Sequence, residues 1–167
     1  MSAPVLCLVE HDDEGPLEAS RRALAVARSL AESSGSALHA VVVGAVSAAT
    51  SEALGANGVA VGHRLTGAGL DPYAPAAWAR GLVALREAMS AGAVVAAGTD
   101  RGNEVLAHAG ALADLPMVAN CFSASRDAAG AVAISRQRWA GSLIEDSVLD
   151  SPVALLTVAF DGVSAAP

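Results

Sequence analysis

One short stretch, Gly98-Thr99-Asp100-Arg101-Gly102-Asn103-Glu104, combines glycines, a hydroxyl, carboxylates and a guanidinium within seven residues. A turn that leads from an apolar run into a helix presents free backbone amides at the positive end of the helix dipole, an arrangement that receives anions. The matching ligand class is an adenine nucleotide, AMP or ATP, held by Gly98, Thr99, Arg101 and Gly102 near Glu10. Either Thr99 or Asp100 can cap the helix by accepting an amide of its first turn. Gly102 allows a close backbone approach, to a neighbouring strand or to a ligand. The same turn also reads as a plain strand-to-helix connection with no ligand.

Acid–base chemistry would draw on Glu10, His11, Asp100 and His108. His108 stands four residues after Glu104, so the two share a helix face and can pair there. The acidic turn Glu10-His11-Asp12-Asp13-Glu14 could hold a metal, but consecutive residues point in different directions, and the turn reads as a solvated loop. The ten basic residues are all arginine. A Walker phosphate loop, a Schiff-base lysine and a lysine general base are therefore excluded. No nucleophile motif and no metal-ligand spacing is present, so no catalytic residue and no metal ligand is assigned. An independent enzyme is therefore not the reading that these residues favour.

The elements that must position the turn follow from the pattern around it. With 167 residues one domain is expected, spanning 1–167. Hydrophobic residues make up 53% and aromatics 3% of the chain, so the core must be valine, leucine and alanine. Mean hydropathy is +0.47, yet no segment approaches a membrane span. The N-terminus lacks a basic region and a long apolar core, so no secretory signal is read and the cytoplasm is expected. Cys7 and Cys121 lie in apolar runs and read as buried free thiols. A net charge of −7 with no basic patch argues against nucleic acid as a partner.

Strands are expected at Pro4–Glu10, Ala37–Val43, Gly58–Val61, Val94–Ala97 and from Met117, and helices at Leu17–Ser33 and Ser47–Leu54. Glu18/Arg22 and Arg28/Glu32 form pairs on the outer face of the first helix. A loop runs from Gly62 to Leu70, and Asp71-Pro72 opens the next helix as cap and first turn. Trp78, Leu82, Leu85 and Met89 make its buried stripe. His39 reads as a packed histidine. The Gly98 helix ends before Pro116. After Asn120 the pattern becomes a turn at 127–130, a strand from Val132 to Trp139 and a returning strand Leu143–Leu149. That is an antiparallel hairpin at one edge of the sheet. Val153–Val158 is the last strand, and Phe160–Pro167 a tail of small residues. Strands alternating with helices predict a three-layer α/β/α fold with a mostly parallel sheet. Arg136, Arg138 and Trp139 are the interface candidates, because Arg and Trp concentrate at hot spots. An edge strand kept soluble by charge is the equal alternative.

Ordered motifs give the chain a resemblance to the N-terminal domain of the alpha subunit of electron transfer flavoproteins. Ala97-Gly98-Thr99-Asp100-Arg101-Gly102-Asn103-Glu104-Val105 resembles that family's turn. Leu115-Pro116-Met117-Val118-Ala119-Asn120 resembles the strand after it. Val5-Leu6-Cys7-Leu8-Val9-Glu10-His11, Arg136-Gln137-Arg138-Trp139-Ala140-Gly141-Ser142 and Leu155-Leu156-Thr157-Val158 are similar to other family segments in the same order. Departures include Asn103 for a usual Lys, Ala107 for Pro, His108 for Arg, Asn120 for Asp, Ser142 for Asn and Ala159 for Arg. The resemblance implies a fold of the adenine-nucleotide α-hydrolase-like type. It also implies a heterodimer with a beta-like subunit, in which this domain is scaffold and interface. Electrons pass from a dehydrogenase to a quinone oxidoreductase through FAD, held mainly by a further domain of alpha. The sequence stops where that domain would begin, which leaves a split alpha subunit, a shortened chain or a paralogue without a flavin role. FAD is thus expected only in a complex or with that domain, AMP remains an option, and no cofactor is expected on this chain alone.

Overall fold

Apolar runs with apolar residues on both faces form the middle of one sheet, as burial from two sides requires. The computed structural model describes residues 2–161. In chain order the elements are β1 (Val5–Leu8), two short strands β2 (His11–Asp12) and β3 (Gly15–Pro16), α1 (Glu18–Ser33), β4 (Leu38–Val43), α2 (Ala48–Ala56) and β5 (Val61–Leu65). There follow α3 (Pro75–Met89), β6 (Ala93–Ala97), α4 (Asp100–Ala113), β7 (Met117–Arg126), β8 (Val132–Arg138), β9 (Leu143–Leu149) and β10 (Ala154–Val158).

The main sheet has eight strands in the order β5-β4-β1-β6-β10-β7-β8-β9. Pairing is parallel from β5 through β7 and antiparallel from β7 to β9. The expected mostly parallel sheet with an antiparallel edge hairpin is therefore what forms. Strand residues alternate between two cores. Val5, Cys7, Val95 and Leu156 pack toward α1, while Leu6, Leu8, Val94 and Leu155 pack toward α3 and α4. Leu6, Leu24, Leu30, Leu82, Leu106 and Leu156 are fully buried. Each contributes roughly 1.5–3 kcal/mol by leaving water.

Two expectations are corrected. The strand placed at Gly58–Val61 begins instead at Val61, and residues 62–65 of the expected loop belong to it, paired with Ala40–Val43. Asn57, Gly58 and Val59 spend their amides on carbonyls of Ala53, Leu54 and Gly55, which closes α2 and delays the strand. Asp71-Pro72 does not open α3. That helix starts at Pro75, with Ala74 outside the helical region at φ −137° and ψ 86°. A residue before proline avoids the helical region, so a helix cannot pass through Ala74. The strand expected from Met117 runs to Arg126; Asn120 within it takes φ 61°, and the β10–β7 register shifts there. The stripe of α3 is core over its first three members, with Leu82 buried and Trp78 and Leu85 packed on it, while Met89 at the helix end is half-buried and outside that core. Both outer pairs of α1 form, Arg22–Glu18 at 2.6 Å and Arg28–Glu32 at 4.0 Å. Residues 162–167 of the expected tail lie outside the described residues. No helix among the described residues is long and apolar enough to cross a membrane.

Candidate functional site

The chain reverses direction across the sheet between β1 and β6. Strands β4 and β5 lie to one side of β1, and β6 returns on the other. In open α/β sheets the crevice at such a switch point is where ligands bind. Glu10 follows β1 and Thr99 follows β6, so both stand in this crevice. The Thr99 hydroxyl donates to Glu10 Oε1. The same Oγ1 accepts the Gly102 amide at 3.0 Å, so Thr99, not Asp100, caps α4. The Glu10 backbone is held from both sides. Its amide donates to Ser20 Oγ at 2.8 Å, and its carbonyl accepts the Leu17 amide at 2.9 Å. A carboxylate thus stands at the positive end of α4, where an incoming phosphate would sit.

The two glycines of the turn serve the chain's own backbone. A Cβ on Gly98 would lie 2.6 Å from the carbonyl oxygen of Val158, which accepts the Gly98 amide at 2.7 Å. A Cβ on Gly102 would lie 2.0 Å from the carbonyl oxygen of Ala97. Of the two expected uses of Gly102, the close approach to a strand is the one the structure contains.

Beside the crevice, Tyr73 donates to Glu104 Oε2 at 2.9 Å, and Arg101 stacks on its ring at 4.9 Å. Trp78 meets the same ring edge-on at 5.1 Å. Burial, and then the Glu104 carboxylate that holds its proton, push the Tyr73 phenol up to about 12, against a smaller opposing pull from Arg101. The expected Glu104–His108 pair does not form. Glu104 is engaged by Tyr73 and His108 is exposed. His11 pairs with Pro16 in the β2–β3 turn, and Asp12 Oδ1 accepts the amides of Glu14 and Gly15. No group of three metal-ligating side chains occurs among the described residues.

Arg136, Arg138 and Trp139 come from the far end of the chain to the same end of the sheet. With Gly98, Asn120 and Phe160 they line an open cavity of about 480 Å³. Both guanidiniums are tied to Glu145, Arg136 at 2.6 Å and Arg138 at 3.1 Å. Trp139, Ala140 and Gly141 all take positive φ, at 52°, 52° and 83°. Backbone of that kind is costly for a bulky residue and collects at functional sites. Trp139 is 77% exposed, and the Arg22 guanidinium packs on Phe160 at 4.6 Å.

Sequence reasoning missed Tyr73, Glu145 and His63. His39 is buried, and its Nδ1 lies 3.0 Å from Nε2 of His63 on β5. Burial and then His63 hold its pKa below the usual histidine value. Misplacing β5 hid this partner. Cys7 and Cys121 are buried free thiols, as expected. Burial raises both, Cys121 to about 12, with Arg136 pulling that one back slightly.

These groups do not compose a dinucleotide cradle. The glycines are consumed by backbone contacts, Glu10 holds the helix terminus, and the two cavity arginines are already paired. The family model described as "Electron transfer flavoprotein domain" matches residues 5–166 of the chain. No curated protein matches it.

Proposed function

We propose that this chain, which belongs to the electron transfer flavoprotein domain family, acts as an alpha-type subunit of a flavin-dependent electron carrier. Its work is to scaffold and to dock. FAD, which supplies reversible electron transfer when bound, is carried elsewhere in the complex or by a domain outside these residues. A beta-like subunit is the first partner. A dehydrogenase and a quinone oxidoreductase stand at the two ends of the electron path. The observation that supports docking most is the corner around the cavity. There, three consecutive left-handed residues hold Trp139 in water beside Arg138 and Phe160. Exposed aromatic and arginine side chains around a depression are what protein interfaces bury at their centres.

An adenine-nucleotide module is the second reading, favoured by the switch point between β1 and β6. Glu10 weighs against it, because a phosphate entering there meets a carboxylate. Calorimetry with AMP tests it directly: heat of binding supports a nucleotide module, and its absence leaves docking.

Docking is tested by co-expression with a beta-like subunit and size-exclusion chromatography. The expected result is co-elution that weakens about tenfold in Trp139→Ala, the scale of a hot-spot loss. A chain that elutes alone beside every beta-like subunit tried overturns the reading.

A further inference from the structure

The main sheet ends at β9, whose outer edge pairs with no strand among the described residues. On one face of this hairpin Val132 and Ile134 pack toward α1. On the other, Ser123, Ser125, Ala133 and Ser135 line a shallow open depression with Asp146 and Val148. Ile144 and Val148 are 69% and 66% exposed, one on each side of Asp146 along the strand. The Ser135 hydroxyl donates to Asp146 and holds its carboxylate on this face. No cation among the described residues pairs with it, since Arg136 and Arg138 are engaged by Glu145. An open edge with aliphatic side chains is a template for another strand.

A second copy of this chain does not suit that edge. The antiparallel register that sets Ile144 against Val148 of its copy also sets Leu143 against Leu149, so all the aliphatic residues match. The same register sets Asp146 against Asp146. Centring the pair on Glu145 instead puts Glu145 on Glu145, and centring it on Ser147 puts Asp146 on Val148. Like charges directly opposite destabilise a strand pair, while opposite charges stabilise it. The geometry points to a β9 edge that rejects its own copy and accepts a strand of a different chain. That strand presents Lys or Arg opposite Asp146 and aliphatic residues two positions to either side. Asp146 performs both selections. The inference rests on the subunit reading for the partner's being a different chain, and adds how that partner is recognised; the edge begins at Leu143, next to the Trp139 corner.

The test uses the whole chain. Sedimentation velocity is expected to show the wild type as a monomer, and Asp146→Asn and Asp146→Val as dimers that Ile144→Lys returns to monomer. A wild type that dimerises and is dissociated by Ile144→Lys, or charge-free variants that stay monomeric, overturns the self-exclusion. Two nine-residue strand peptides, aliphatic at alternate positions with Lys or Asp at the centre, are then titrated against the Trp139 fluorescence of a Trp78→Phe chain, since the sequence holds two tryptophans. The Lys peptide is expected to bind at least about fivefold more tightly, a gap that Asp146→Lys reverses. Equal binding, or no binding of either, overturns the choice of partner. A beta-like subunit that binds the wild type and Asp146→Lys alike sinks this inference and leaves the subunit reading standing. Failure of every beta-like subunit to bind, with the peptide preference intact, does the opposite.

Discussion

Thr99 and Glu10, 89 residues apart in sequence, are joined by a hydrogen bond across the gap between the carboxyl ends of β6 and β1. Thr99 serves two partners at once, since its oxygen also accepts the Gly102 amide that begins α4. The bond ties together the two strand ends that flank the switch point of the fold. Thr99→Val is expected to cost about 1–2 kcal/mol in urea unfolding, the usual scale of a lost cap. Thr99→Ser, which keeps the oxygen, is expected to restore most of it. Equal stability of the two variants would show that the hydroxyl carries neither bond.

Gly102→Ala separates a structural glycine from a ligand-binding one. The new methyl would meet the Ala97 carbonyl at 2.0 Å, and backbone cannot give way there as a side-chain end can. A loss of about 2–3 kcal/mol or more is expected, at or above the ordinary range for overpacking. A variant as stable as the wild type would place the glycine's purpose outside the folded chain.

The chain has one tyrosine, so its phenolate band reports Tyr73 alone. In a rapid pH jump read before unfolding, the folded protein is expected to titrate near 12, well above the ordinary phenol. Glu104→Gln is expected to lower the midpoint, because it removes the carboxylate that holds the proton. An unchanged midpoint in that variant would assign the shift to burial alone.

His39 sets a pH dependence whose sign is fixed by its direction. Its folded pKa lies below the ordinary 6.5, through burial first and His63 second. The unfolded chain therefore binds more protons as pH falls through that value. Stability contributed by neutral His39 is present above it and is lost as pH drops toward the folded pKa. Thermal melts from pH 7.5 to 5.5 are expected to fall, and less steeply in His39→Gln. A slope that the variant leaves untouched would move the effect to other groups.

Much of the fold was legible because it is local. Val94–Ala97 announces a buried strand, and Thr99 and Ser47 cap the helices that follow them, each accepting an amide three residues on. The errors are local contests as well. The apolar Val59-Ala60-Val61 outbid Val61–Leu65, an edge strand with exposed positions, and Pro72 outbid Pro75 as a helix start. What periodicity lacks is strand order. Nothing in the spacing says that Thr99 lands beside Glu10, that His39 meets His63, or that Gly98 and Trp139 line one cavity. The family resemblance reached the motifs of that cavity, but Tyr73 and Glu145 belong to none of them.

The central claim is that this chain docks and positions while the flavin is carried elsewhere. The most direct measurement is the near-ultraviolet and blue absorbance spectrum of the chain purified alone, with a beta-like subunit, and with a flavin-domain chain of the family added to both. The account predicts no flavin bands in the chain alone and flavin bands in an assembled complex. Flavin bands in the chain alone, or complexes that form and stay colourless, would contradict it.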